Sequence, residues 1–460
     1  MEAEVLTHPV PLAVTLLFTG LLVAMIVALA LEEKLHAKKS VIVGVFAVIC
    51  LLLGSALGLL PFGDVTLPGG QRLHIPVYIE AVDWEVIAII VGSSLFVDVT
   101  LRSGLFGWIA IRLTKASGGD PLKLLWFYGG MTVLFSAALN NVTAMIIVGS
   151  LSVVSLERLE RRDKLLGFLL IEGLLTNVGG LLTLISSVPN IIVGNAAGIG
   201  FIEFFLKSSP YVLVATVFTL WLGARLFGIR ALRDAAERDH ARRRVAGFDE
   251  NEGIASQGFF TFAAVAMAAF ILAIATTSVT PVVRDLGMGF VAMTFAVIML
   301  IRYKSEVDQF FKAVDWDLIL FFMSLFVVIN VMEHAEVLAL IGEGVRWLIG
   351  DGDSAGGSAS LLLSSALFSS VTDNIPLTAM LARILDAQRI ASESPLWWAV
   401  AFGANLGGNL TPIGSASTLV AVTLMHKHGL PMSFGGFVRR ALPFAVAQIT
   451  VATAYVLLFL

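Results

Sequence analysis

Charge is what this chain has least of. Only 14% of its 460 residues are Asp, Glu, Lys or Arg, against roughly 25% in soluble domains, while 57% are apolar. An ordinary globular core cannot hide that much apolar surface, so the chain belongs in lipid. Cysteine is nearly missing: Cys50 stands alone inside an apolar run, which excludes a disulfide framework and a thiolate metal site. The net charge is only -4 and no stripe of Lys and Arg is present, which excludes a nucleic-acid partner. No HExxH, GxSxG or His/Asp cluster offers enzyme chemistry. No G-x-x-x-x-G-K-[ST] loop offers ATP binding, so energy comes from an ion gradient unless a separate ATPase subunit joins. The first apolar segment, Pro11 to Leu31, follows no basic region and is long enough to span, so it reads as a retained helix and not a cleaved signal.

What is present is a duplication. Asn177-Val178-Gly179-Gly180-Leu181-Leu182-Thr183-Leu184-Ile185-Ser186-Ser187 returns 228 residues later as Asn405-Leu406-Gly407-Gly408-Asn409-Leu410-Thr411-Pro412-Ile413-Gly414-Ser415. Upstream, Leu139-Asn140-Asn141-Val142 pairs with Thr372-Asp373-Asn374-Ile375 at an offset of 233, and Ala81-Val82-Asp83-Trp84-Glu85 with Ala313-Val314-Asp315-Trp316-Asp317 at 232. Three ordered pairs at nearly one offset describe two halves carrying the same interrupted helices.

Apolar runs near the ~20 residues needed to cross a bilayer lie at about 10–31, 41–60, 85–101, 166–205, 210–229, 258–279, 286–301, 317–333, 395–425 and 441–460. The positive-inside rule puts Lys34, Lys38 and Lys39, the Arg158 to Lys164 cluster and the Arg225 to Arg244 cluster in the cytoplasm. The uncharged stretch from Leu124 to Leu156 is flanked by cytoplasmic charge on both sides, which a re-entrant hairpin resolves. Five crossings per half is odd, so the second half must run inverted. The expected fold is an all-α polytopic membrane protein, with about ten transmembrane helices and two re-entrant hairpins in two inverted-topology repeats. Residues 1–229 form the first repeat with a hairpin at about 122–156, 230–257 a solvated cytoplasmic linker, and 258–460 the second repeat with a hairpin at about 358–389.

Gly-Gly steps and internal prolines are costly against hydrocarbon. Repeated in both halves, they should open a helix at mid-membrane and leave free amides and carbonyls beside Asn, Thr and Ser side chains. Half-helix N-termini then favour an anion and unwound carbonyls a cation such as Na⁺. Substrate contacts are expected from Asn140, Asn141, Thr143, Asn177, Gly179, Thr183, Ser186, Ser187 and Asn190 in the first half. In the second half they are expected from Asn374, Thr378, Asn405, Gly407, Thr411, Ser415 and Ser417. An intramembrane carboxylate is tolerated mainly where it faces a cavity or a partner, so Asp373 at a hairpin tip and Glu172 near Asn177 are the expected ion-coupling groups. Na⁺, the one cofactor considered, would sit near Asn141, Asp373 and Asn374. Asp98 and Arg102 read as an interfacial ion pair.

These residues resemble the ion transporter superfamily of arsenite permeases, NhaD-type sodium/proton antiporters, citrate and dicarboxylate transporters, and the melanosomal P protein. Ser370 to Thr378 looks like the D-N-x-P hairpin tip of the P-protein and NhaD branches, Gly403 to Ser417 like the second broken helix, and Val188 to Gly194 like the P-N-I-I-x-G of the first. Two departures are visible. Many relatives carry L-D-N-V-T where this chain has Leu139-Asn140-Asn141-Val142-Thr143, and G-D-P-P-N where it has Ser186-Ser187-Val188-Pro189-Asn190. Two carboxylates are thereby neutral, which weakens a first-half cation site and favours an anionic substrate. The resemblance implies a secondary active transporter of the cytoplasmic membrane, moving arsenite or another oxyanion, or a di- or tricarboxylate, with H⁺ or Na⁺. The alternative is a sodium/proton antiporter. It also implies a homodimer in contact with membrane lipid.

Overall fold

In a computed structural model, which describes residues 10–60, 64–66, 72–74, 76–277, 279–304, 307–350 and 354–460, the chain is a helical membrane protein. Apart from short helices at Glu32–Leu35, Val77–Glu80 and Val307–Ala313, nine helices among the described residues form the first series: α1 (Leu12–Ala30), α2 (Lys39–Ala56), α3 (Trp84–Leu101), α4 (Leu105–Ser117), α5 (Pro121–Ala138), α6 (Asn141–Arg158), α7 (Leu165–Gly179), α8 (Val188–Ala197) and α9 (Phe201–Leu226). After α10 (Ala235–Ala246), nine more follow in the same order: α11 (Gln257–Ala275), α12 (Pro281–Arg302), α13 (Trp316–His334), α14 (Val337–Ile349), α15 (Ala355–Ser369), α16 (Asn374–Ala387), α17 (Pro395–Gly407), α18 (Ala416–Lys427) and α19 (Phe434–Phe459). Each helix thus has a counterpart ten places on. The β structure among the described residues is a small antiparallel hairpin between α2 and α3, β1 (Asp64–Thr66) and β2 (Arg72–His74), with Asp64 opposite His74.

The repeated sequence pairs turn out to start helices. Asp83 caps α3 by accepting from the Glu85 and Val86 amides, and its counterpart Asp315 caps α13 through the Leu318 amide. Behind each cap a tryptophan ring nitrogen closes the preceding turn, Trp84 on the Ile79 carbonyl at 3.0 Å and Trp316 on that of Phe311 at 3.1 Å. Asn140 caps α6 and Asp373 caps α16 in the same way. A short polar side chain just outside the first turn satisfies amides that have no intrahelical partner.

Contacts between the halves fix the inversion. Helices α2 and α13 start together, with the Ser40 hydroxyl donating to Asp317 at 2.5 Å, and Gly44 facing Ser324 one level further in. Helix α3 starts beside the kink of α12 at Gly287 and runs alongside its second segment: Glu85 accepts from the Met288 amide at 2.9 Å, and Gly92 abuts the Ala292 backbone. Yet the end of α3 lies beside the approach to α13, where Arg102 donates to Gln309 at 2.8 Å and covers the Phe310 ring. Counterparts α3 and α13 therefore run in opposite directions. The starts of α2 and α13 and the end of α3 share a face rich in Lys and Arg, cytoplasmic by the positive-inside rule. The expected Asp98–Arg102 pair is there, at 3.3 Å.

Nine helices among the described residues are long and apolar enough to cross a bilayer. Eight are the continuous spans α1, α2, α3, α9, α11, α12, α13 and α19, and the ninth is α6 of the first hairpin. Two further crossings are broken, as α7 with α8 and α17 with α18, which gives the ten expected. The apolar stretch 166–205 is corrected in one respect: it includes the start of α9, which begins at Phe201. The hairpins are longer than mid-depth loops. Helices α5 and α6 have 18 residues each, about 27 Å at 1.5 Å per residue, so the tip crosses most of the bilayer. The linker is also less solvated than its composition suggests. Ala241, Val245 and Phe248 are buried, Glu250 binds Arg112 at 2.8 Å and Lys115 at 3.1 Å, and Arg158 grips both carboxylate oxygens of Glu252, holding that carboxyl below the usual range.

The first glycine of each Gly-Gly step is a packing residue. A Cβ on Gly179 would meet the Val133 backbone of α5 at 2.8 Å, and one on Gly407 would strike the Ala366 carbonyl of α15, its repeat-related equivalent. Overpacking of this kind costs about 1–3 kcal/mol. Gly407→Ala should lower the thermal midpoint of the detergent-solubilised protein by several degrees, whereas Gly356→Ala, with nothing within 4 Å of its Cβ, should leave it unchanged; scanning fluorimetry distinguishes the two.

Candidate functional site

A helix opened inside lipid leaves carbonyls that must be met from elsewhere in the protein. Both breaks are met by equivalent side chains. Ser136 of α5 donates to the Thr176 carbonyl and Ser369 of α15 to that of Ala404, each at 2.6 Å. Thr183 donates to the Ala137 carbonyl and Thr411 to that of Ser370, both at 2.5 Å. Asn190 closes the Gly180 carbonyl at 2.6 Å, and Thr418 takes the matching place at Gly408 and Pro412. Ser186 also reaches the Gly180 carbonyl.

Between the halves the breaks interlock. The Ser415 hydroxyl donates to Asn177 Oδ1 at 2.9 Å, and its counterpart Ser187 donates to Asn405 Oδ1 at 2.6 Å. Around Asn177 stand Asn141 (3.3 Å), Ser417 (3.3 Å) and Asn409, which accepts from its Nδ2 at 2.8 Å. Asn405 donates to Asn190 Oδ1 at 2.9 Å and to the Ala401 carbonyl at 2.8 Å. Asn177 and Asn405 are both fully buried. Of the residues expected to bind substrate, the structure thus brings Asn141, Asn177, Ser415 and Ser417 into one network and Ser187, Asn190 and Asn405 into another. Asn140 is exposed and caps Thr143, Thr378 is buried and bonds the Asn374 carbonyl, and Gly179 and Gly407 serve close packing.

The two carboxylates sit in different settings. Glu172 of α7 is fully buried, with one oxygen 2.5 Å from the Ser152 hydroxyl and the other without a hydrogen-bond partner. Asp373 keeps Oδ1 on the Ile375 amide at 3.1 Å and offers Oδ2 to Lys39 of α2 at 2.6 Å. That pair lies on the wall of a cavity of about 810 Å³, reaching from Glu32 and Lys34 at the basic face to Ser415 at the second break, with otherwise mostly apolar lining from α1, α14, α15 and α16. Asn141 and Asp373, two of the three residues expected to hold Na⁺, are occupied by protein partners in this conformation. No cluster of three His, Cys, Asp or Glu residues that could hold a metal occurs among the described residues.

Several of these residues carry no local signal in the sequence. Lys39 reads as a loop charge beside Lys34 and Lys38, and nothing local marks it as the partner of a carboxylate 334 residues away. Ser136 and Ser369 were legible in principle, since they sit at the same 233-residue offset as the hairpin tips. Asn409 and Gln448, which bond each other at 2.8 Å, have no polar counterparts at the equivalent offsets and carried no such signal.

The family model described as citrate transporter matches residues 5–403. The chain belongs to the citrate transporter family, within the ion transporter superfamily. Curated relatives agree: a 46 kDa membrane protein of Mycobacterium leprae is 30% identical over 381 residues, covering 81% of this chain and 86% of that one. An uncharacterised transporter of Mycobacterium tuberculosis is likewise 30% identical, over 382 residues and the same shares. The mouse P protein is 24% identical over 99% of this chain and 64% of its own. Among solved structures, the YdaH transporter of Alcanivorax borkumensis superposes with a TM-score of 0.60 at 11% identity, covering 92% of this chain and 98% of the other. MtrF of Neisseria gonorrhoeae gives 0.55 at 13%, over 92% and 95%. This member of the citrate transporter family is therefore a multi-pass membrane transporter.

Because Asn405 is buried with every near partner a protein group, its removal should act first on stability. Asn405→Ala strands Asn190 Oδ1 and the Ser187 hydroxyl, at about 1–3 kcal/mol for a buried group left unpaired. The thermal midpoint should fall clearly for Asn405→Ala and far less for Glu343→Ala, whose side chain is exposed. Equal shifts would mean that the interlock adds nothing to the fold.

Proposed function

We propose that this protein is a secondary active transporter of the cytoplasmic membrane that moves a small anion by alternating access, coupled to H⁺ or Na⁺ at Asp373. The observation that carries this reading is the cavity running from the basic face to Ser415, with one carboxylate and one ammonium on its wall. A volume of about 810 Å³ falls within the ordinary range for small-molecule sites. The reciprocal interlock of Asn177 with Ser415 and Asn405 with Ser187 supports a hinge about which the inverted halves can exchange conformations. In this reading the cavity beside Ser415 serves the basic face, and the exchanged state would open the equivalent surface around Ser187 toward the other side.

Among candidate anions, the family description favours a di- or tricarboxylate over arsenite or another oxyanion. The neutral Asn140 and Ser187, where many relatives of the superfamily carry acids, point the same way by reducing negative charge at the first-half site. One observation favours the sodium/proton antiporter as a second reading. Glu172 has an unpartnered oxygen in a fully buried setting, a place suited to a proton and not to a permanent charge.

Uptake into proteoliposomes separates the readings. Citrate, succinate, arsenite, sulfate and phosphate are offered under separate Na⁺ and pH gradients. Anion transport predicts uptake of at least one, and Asp373→Asn should insert normally while losing dependence on the ion gradient. A Na⁺ jump on a solid-supported membrane that gives pH-dependent exchange with no anion present would instead establish the antiporter.

A further inference from the structure

Lys39 stands at the start of α2, and its nearest charged partner is Asp373 at the tip of the second hairpin. Neither is sealed away: the side chains keep 34% and 18% of their exposure, on the cavity wall. Asp373 accepts from the Ile375 amide at Oδ1 and from the ammonium at Oδ2. Each oxygen keeps a second lone-pair site, so a coupling cation arriving here would stand beside the Lys39 ammonium and be repelled by it until Lys39 moves away.

The repeat supplies an internal control. Ser40 binds Asp317 as Met288 binds Glu85, so Lys39 of the second-hairpin site corresponds to Gly287 at the first. Asp373 corresponds to Asn140. Gly287 has φ +78° and lies against the Glu85 carboxylate, where a side chain does not fit, and Asn140 still caps its helix through the Thr143 amide. The same hairpin tip is built in the first half with neither charge, so the ion pair is not what the fold of the tip requires.

We propose that Lys39 is a tethered cation that occupies the Asp373 site while no coupling cation is bound, and turns into the cavity as counter-charge for the substrate anion when one arrives. The proposal rests on the reading of Asp373 as the coupling group. It links the two ligands through one ammonium. A Na⁺ or H⁺ on Asp373 removes the acidic group nearest to Lys39, leaving the more distant Glu32 and Asp317, and a substrate anion in the cavity takes the vacated place beside the ammonium. The charged groups facing Lys39 are Glu32 before α2, Asp317 of α13 and Asp373 of α16; Asp317 is engaged by Ser40, and Lys34 lies at the cavity mouth. Displacement therefore leaves the ammonium exposed to cavity contents.

The test uses purified full-length protein, with Na⁺ and the proton as separate probes. Scintillation proximity with ²²Na⁺ reports sodium, and carbodiimide modification of Asp373, read by peptide mass across pH 6 to 8, reports its protonated form. An adjacent cation biases a carboxylate by about one to three pKa units, so Lys39→Gln should raise Na⁺ affinity or Asp373 modification at least about tenfold. Lys39→Arg should leave both as in wild type, and Asp373→Asn should abolish both. Wild-type protein gives a check free of folding effects: Na⁺ should speed reductive methylation of Lys39 if sodium is the coupling ion. If Lys39→Gln changes neither probe while Asp373→Asn still removes ion-dependent transport, Lys39 is no tether and the coupling reading survives. If Asp373→Asn keeps ion-dependent transport, the coupling reading itself falls.

Discussion

A backbone carbonyl with no partner in hydrocarbon costs several kcal/mol, and this protein opens one crossing in each half. Everything near the breaks follows from meeting that requirement. Ser136 and Ser369 reach back from the hairpins, Thr183 and Thr411 reach forward to them, and Asn190 and Thr418 fill the gap behind. These bonds hold the hairpins against the broken helices: Ser136 adds a second donor to the Thr176 carbonyl, which the Gly180 amide already meets, and Thr183 and Thr411 meet the carbonyls of Ala137 and Ser370 at the hairpin ends. Close approach then demands the first glycine of each pair, and the remaining amide and hydroxyl groups join one half to the other through Asn177 and Asn405.

A twofold relation this regular makes its exceptions informative. Lys39 and Asp373 face Gly287 and Asn140 across the pseudo-axis, and Glu172 corresponds to the apolar Val400. Asn409 joins Leu174 and Gln448 where the first half has Leu181. The scaffold is thus symmetric in what closes the backbone and asymmetric in what carries charge. Under the proposed alternating access, duplication would supply the two states. The Lys39–Asp373 pair is confined to one half and Glu172 to the other, so those states would differ in electrostatics, and an ion can favour one over the other only by such a difference.

The duplicated fold was legible because its causes are local and repeated. Caps, Gly-Gly steps and prolines recur at nearly one offset, and the distribution of Lys and Arg orients the spans. Long-range pairing was not legible. Composition marked 230–257 as solvated, yet Ala241, Val245 and Phe248 dock it, since three apolar residues among many arginines give no clear stripe. The motif asparagines were visible, but whether an asparagine serves a ligand or a broken helix depends on which carbonyls fold against it. Lys39 shows the same limit, as a basic residue beside Lys38 reads as a loop charge until the hairpin tip is placed over it.

The central claim is that two equivalent breaks serve opposite faces of the membrane. Ala416 and Val188 occupy the same position in the two repeats, and Ala416 lines the cavity that reaches Glu32 and Lys34 at the basic face. In a Cys50→Ser background, a membrane-impermeant maleimide should label Ala416→Cys from the cytoplasmic side and Val188→Cys from the outside only, each at the expense of the other as conditions shift the equilibrium. Labelling of both positions from the same side would contradict the account.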